Sequence, residues 1–128
     1  MANVALFLFL LLSVAMPQDT ANQLHEVTIV GEVIDTKCYL TQDSELSTGE
    51  KHRECAIKCA KRGIPLAILE EKTEKVYFTT KERGNSDANE MLLPFVGERV
   101  EVHGTLAEKG GARLLLVRSV ERSRTIPK

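Results

Sequence analysis

The chain has 128 residues, with 17 Lys and Arg against 18 Asp and Glu, and a formal net charge of −1. That length fits one domain, and so even a balance gives no global field to draw in nucleic acid or an anionic membrane surface. Aromatic residues are scarce and Trp is absent, so the core is expected to be small, and a covalent or metal staple would widen its folding margin.

Val4 to Ala15, "VALFLFLLLSVA", is an apolar run ending in Ser13-Val14-Ala15, the small-x-small pattern that signal peptidase reads. A spanning helix needs about 20 apolar residues, and polar Gln18-Asp19-Thr20 follow at once. A cleaved secretory signal over residues 1–15 is therefore expected, although Met1-Ala2-Asn3 lacks the basic residue usual in an export signal. No cysteine follows the run directly, so no lipid anchor is expected once the signal is cut. This predicts a secreted or periplasmic protein with an N-terminal linker at 16–25, a domain at 26–121 and a tail at 122–128.

Val27 to Asp35, "VTIVGEVID", is rich in β-branched residues and predicts a strand with a bulge or tight bend at Gly31. The polar segment Tyr39 to Glu50 predicts a surface loop. Ser47 and Glu50 have the spacing of a capping box, and Gly63 with Pro65 supplies a stop, so a helix is predicted from about Gly49 to Arg62. His52, Cys55, Ala56, Cys59 and Ala60 share one stripe of it, which predicts a buried small-residue face carrying both thiols. Leu66 to Leu69 and Val76 to Thr80 flank a charged tip and predict a hairpin, in which only one of the neighbours Tyr77 and Phe78 faces outward. Asp87 is placed to cap a short helix ending near Gly97. Val100 to Leu106 and Leu114 to Val120, joined at Gly110-Gly111, predict a second hairpin.

Strand, helical insertion, hairpin, short helix, hairpin is the order of a five-stranded OB-like Greek-key barrel, all-β with short helices, with a helix inserted between strands one and two and a short helix between strands three and four. The segments "GEVIDTKCYL", "H..CA..CAKRGIPLAIL" and "LLPFVGERVEVHGTL" together resemble small exported bacterial proteins with an OB-like barrel, most of them uncharacterised. The resemblance implies fold and compartment and no particular activity.

The cysteines Cys38, Cys55 and Cys59 admit three readings. In an oxidising compartment, one disulfide with one free thiol is the ordinary outcome, and a bridge from Cys38 to either helix cysteine would close a loop of about 20 residues, worth on the order of 3 kcal/mol. Alternatively, Cys55 and Cys59 in a Cys-x-x-x-Cys pair share a helix face and can converge with Cys38 on a soft ion, copper or zinc. The third reading is three inert buried thiols. The Cys-x-x-x-Cys pair is similar to that of exported thioredoxin-like copper chaperones of the Sco type, but no proline follows the second cysteine and no βαβ pattern is present, so only the ligand idea carries over to Cys55 and Cys59. His52 is a candidate fourth ligand. On a continuous helix, however, it stands about 10.5 Å along the axis from Cys59 and leans away from it. His25 and His103 are substitutes. Lys58, Lys61 and Arg62 are expected to be a solvated face that, where close, lowers thiol pKa values.

Asp35, Glu32, Glu101 and His103 are read as solvated strand positions, and no catalytic motif is present, so a non-enzymatic monomeric protein is predicted that binds a soft metal ion through Cys38, Cys55, Cys59 and His52 or has a redox role through the cysteines, a strained and easily reduced Cys55–Cys59 bridge being one form of it. The rival is a disulfide-stapled module that binds an envelope protein or an oligosaccharide; nucleic acid is not an expected partner. N-terminal sequencing of exported material is expected to begin at Met16 or slightly later, and material that still starts at Met1 would refute the signal assignment.

Overall fold

The computed structural model describes residues 23–124; the expected signal segment, most of the linker and the last residues of the tail lie outside them. Five strands close into a barrel in the order β1-β2-β3-β5-β4, as expected for the OB-like topology. They are β1 (Gln23–Asp35), β2 (Leu66–Glu70), β3 (Val76–Lys81), β4 (Arg99–Lys109) and β5 (Ala112–Arg122). Neighbours run antiparallel except β3 and β5, whose parallel pairing from Phe78 with Leu114 to Lys81 with Val117 closes the barrel.

The first strand spans two neighbours. Its first part pairs with β4 and its end with β2, and Gly31 and Glu32 belong to both ladders. Gly31 is where the strand bends from one partner to the other, because a Cβ there would sit 2.1 Å from the Leu69 carbonyl oxygen. Gly104 serves the same purpose in β4, beside the register shift at His103 and Gly104, with the Leu116 carbonyl 2.1 Å from the Cβ position. At the β4–β5 hairpin, Gly110 and Gly111 both have positive φ, 58° and 82°, as a tight two-residue turn requires.

Alternation sends Val100, Val102 and Leu106 of β4 inward, to meet Ile29, Val33, Leu66, Ile68, Leu115 and Val117. Tyr77 joins them and Phe78 faces outward, as strand alternation demands. Among the described residues, no helix is long and apolar enough to cross a membrane.

The insertion after β1 departs from expectation. In place of a loop and one long helix there are α1 (Thr36–Thr41), α2 (Ser44–Ser47), a 3-10 turn at Glu50–His52 and α3 (Arg53–Lys61). The hydroxyls of Thr41, Ser47 and Thr48 each donate to the carbonyl four residues back, at 2.7, 3.0 and 2.7 Å, satisfying acceptors at the ends of the short helices. Ser47 is thereby committed backward and does not form the expected capping box. Gly49, at φ 73°, turns the chain instead. The stop is as predicted: Gly63 at φ 94° follows α3, and Ile64 N–H donates to the Cys59 carbonyl at 3.1 Å.

A short α4 (Asn89–Leu92) and a 3-10 turn at Leu93–Phe95 bridge β3 and β4 and lay Leu92 and Val96 over one end of the barrel. Asp87 accepts from Asn89 N–H at 2.8 Å, but it stands one residue before the N-cap, which is Ala88, so it forms an Asx turn leading into α4 and not the expected cap.

Gly31→Ala is expected to cost about 1–3 kcal/mol through overpacking against β2, read as a lower urea midpoint with an unchanged slope. An unchanged midpoint would refute the close approach of β1 and β2 at this point.

Candidate metal centre

The helix α3 docks on the barrel end through Ala56 and Ala60, which are fully or nearly buried. The two thiols do not share that contact as the stripe had suggested: Cys55 is exposed and Cys59 half-buried. On a helix, residues 55 and 59 stand to one side of residues 56 and 60, and that flank turns toward α1, where Cys38 lies buried. Two clamps hold α3 in place. At its start, Arg53 donates to the Val96 carbonyl at 2.6 Å and to Glu98 at 3.1 Å. At its end, Asn89 donates to the Ala60 and Ile64 carbonyls at 3.3 and 2.9 Å and accepts from Leu66 N–H at 2.8 Å.

Asp35 ends β1 and caps α1. One oxygen, Oδ1, accepts from the N–H groups of Lys37 and Cys38 at 2.8 and 3.2 Å. Far from being a solvated strand residue, Asp35 is completely buried. Thr36 Oγ1 donates to the Pro65 carbonyl at 2.8 Å and ties the same junction to the start of β2. Glu32 is half-buried and accepts from Gly49 N–H, which fixes the turn leading into His52. Burial pushes the Glu32 carboxyl above its ordinary range, with that hydrogen bond and His52 opposing.

Around this frame, two groups of donors converge, the atoms within each lying no more than 4.8 Å apart: Cys38, His52 and Cys55 in one, Asp35, Cys38 and Cys59 in the other. The Cys38 sulfur belongs to both. All the sequence-predicted ligands are thus brought into one neighbourhood, although His52 and Cys59 fall in different groups. His52 enters because residues 50–52 form a 3-10 turn outside α3 and because its neighbour is Cys55, three residues on, not Cys59. His25 is exposed and His103 lies in a separate half-exposed group with Glu101 and Glu121 on β4 and β5, hydrogen-bonded to Thr28 at 3.0 Å.

Two buried side-chain polar atoms without a hydrogen-bond partner are found among the described residues, and both belong to this cluster: His52 Nε2 and Asp35 Oδ2. His52 is 8 % exposed and Asp35 0 %. Leaving such an atom unpaired costs about 1–3 kcal/mol, so their coincidence beside three thiols singles out this cluster as a place where an ion could be held. No disulfide joins the cysteines; all three are free thiols.

The electrostatics favour the protonated thiols of Cys38 and Cys59. Burial, followed by the nearby Asp35 carboxyl and then the other two cysteines, pushes the Cys38 thiol up to about 12. Contact with Asp35 is the main reason that the Cys59 thiol is raised, with burial second. The expected lowering by Lys58, Lys61 and Arg62 is overridden at these two thiols, because Asp35 is close and the basic side chains of α3 point to solvent, Lys58, Lys61 and Arg62 being exposed.

No family model, curated protein or solved structure matches this chain.

A tetrahedral ion with metal–sulfur bonds of about 2.3 Å needs sulfurs about 3.7 Å apart, so a shift of roughly 1 Å closes either group on an ion. Because the Cys38 pKa is higher in the folded chain than in the unfolded one, its contribution to stability is fully present below the unfolded value of about 8.5 and is lost as pH rises through about 12. In the metal-free, reduced protein, stability is expected to fall across that alkaline window, and Cys38→Ala is expected to lessen the fall; parallel wild-type and variant curves of urea midpoint against pH would contradict this.

Proposed function

We propose that this protein binds a soft or borderline metal ion, zinc or copper(I), with Cys38, His52 and Cys55 as the first ligands, as a secreted or periplasmic protein without catalytic activity. The observation that carries the reading is the buried His52, whose Nε2 has no hydrogen-bond partner and which offers a ring nitrogen within 4.8 Å of the Cys38 and Cys55 sulfurs. Sulfur and imidazole together suit zinc and copper(I), and both are poor ligands for hard ions such as calcium and magnesium. Metal binding replaces the thiol protons, which is why the raised Cys38 pKa is compatible with a binding site and makes affinity rise with pH.

A disulfide-stapled interaction module is the competing reading. A bond between Cys38 and either partner would consume two sulfurs and leave the His52 nitrogen without a partner, whereas an ion satisfies that nitrogen and the sulfurs together. Cys55 is the exposed ligand, and an ion would enter and leave through it.

Native mass spectrometry of the reduced protein with zinc(II) or copper(I) is expected to show a metal adduct that Cys55→Ser abolishes at the Cys38–His52–Cys55 position and that thiol alkylation prevents. His52→Ala is expected to weaken binding there by at least tenfold. A protein isolated two protons lighter, with one alkylatable thiol and no metal uptake after reduction, would refute the proposal in favour of the stapled module. Three alkylatable thiols without metal uptake would refute both.

A further inference from the structure

The donors around Cys38 exceed what one ion of the proposed function uses, and they are divided in a particular way. Each group of atoms mutually within 4.8 Å contains one of the two residues with an orphaned buried atom and excludes the other: His52 stands with Cys38 and Cys55, Asp35 with Cys38 and Cys59. An ion placed to satisfy His52 leaves the Asp35 carboxyl buried, with one oxygen unpartnered and no salt bridge among the described residues. Asp35 has no freedom to turn that oxygen away, because Oδ1 is held by two N–H groups at the start of α1.

We propose that Asp35, Cys38 and Cys59 form a second metal position, deeper than the first and sharing the Cys38 thiolate with it, so that the cluster holds two divalent ions. This rests on the metal-binding reading of the first position. Charge supports the pairing: three thiolates and one carboxylate carry four negative charges, and two divalent ions carry four positive ones, with His52 neutral. On loading, three thiol protons leave to solvent as three cysteine sulfurs become metal-bound thiolates, and no oxidant or reductant is needed. The second donor set, two sulfurs and a carboxylate oxygen, lies within zinc(II) ligand chemistry and is less suited to copper(I), which prefers sulfur. Zinc(II) is thus the ion that both positions accept.

The α3 clamps make the two positions independent enough to separate by substitution. Cys55 and Cys59 lie one helical turn apart on the same flank, each serving a different position. Asp35→Asn keeps a side-chain oxygen for capping α1, since Asn caps as well as Asp, and removes only the charge and the second carboxylate oxygen.

Native mass spectrometry of the reduced full chain titrated with zinc(II) is expected to reach two ions per chain in the wild type. Asp35→Asn and Cys59→Ser are each expected to stop at one ion, which His52 still holds; His52→Ala is expected to retain one ion in the Asp35 position. A wild type that saturates at one ion, retained in Asp35→Asn and Cys59→Ser, would overturn the second position and leave the first intact. No zinc(II) uptake by the wild type would overturn the second position, and no uptake of either zinc(II) or copper(I) would overturn the underlying reading itself. The wild-type stoichiometry needs no variant, so a substitution that unfolds the chain does not blunt the test.

Discussion

Asp35 is the residue on which the arrangement depends. It stands where β1 leaves the barrel, buried under the insertion, and its carboxyl group does two jobs. One oxygen takes the first N–H groups of α1 and so sets the direction in which the chain departs. That direction carries Cys38 over the barrel end and toward the flank of α3. A buried carboxyl with one unpartnered oxygen is costly, and its effect on the nearby thiols of Cys38 and Cys59 is to keep their protons on. The cluster therefore holds latent negative charge that a bound cation would bring out. The capping of α1 and the protonation of the nearby thiols are two consequences of the same buried group.

The partners of Asp35 are held by contacts remote in sequence. Arg53 fastens the start of α3 to the carbonyl of Val96 and to Glu98, and Asn89 fastens its end to the first residue of β2. Both belong to an exchange between the insertion after β1 and the connection between β3 and β4. Gly97 lies in the same contact, where a Cβ would come 2.8 Å from the Gly49 carbonyl oxygen. Donors fixed in this way pay little entropy when an ion arrives, and an ion in turn would tie α1 to α3 across the barrel end.

The position of the cluster also separates fold from function. OB barrels commonly bind ligands on the face of strands two and three and on nearby loops. Here Phe78 is exposed on β3, but the chemistry collects in the insertion that follows β1, outside the barrel wall. The barrel acts as a base that presents one end to α1, α3 and the 3-10 turns. A fold assignment alone would have pointed to a different surface.

Strand positions were readable from the sequence because alternation and β-branched residues act locally: Val100, Val102 and Leu106 announce an inward face, and Gly31 and Gly110-Gly111 announce a bend and a turn that only glycine fits. The cysteines and His52 could likewise be nominated from residue type and spacing. The insertion was less legible. Its hydroxyls bond backward within short helices, and that choice depends on competing local bonds of similar strength. Asp35 was missed as a buried group, although an aspartate at the end of a strand is a residue type that caps a following helix. Arg53 and Asn89 carried no signal at all.

By itself, then, the sequence determined five strands, their turns and a short list of metal-capable side chains, since each follows from interactions between near neighbours. Tertiary structure alone decided that His52 joins Cys38 and Cys55, that Asp35 joins Cys38 and Cys59, and that both orphaned atoms lie in one cluster. Those outcomes depend on how α1 and α3 seat on the barrel end, which is a matter of contacts between residues far apart in the chain, invisible to periodicity or spacing.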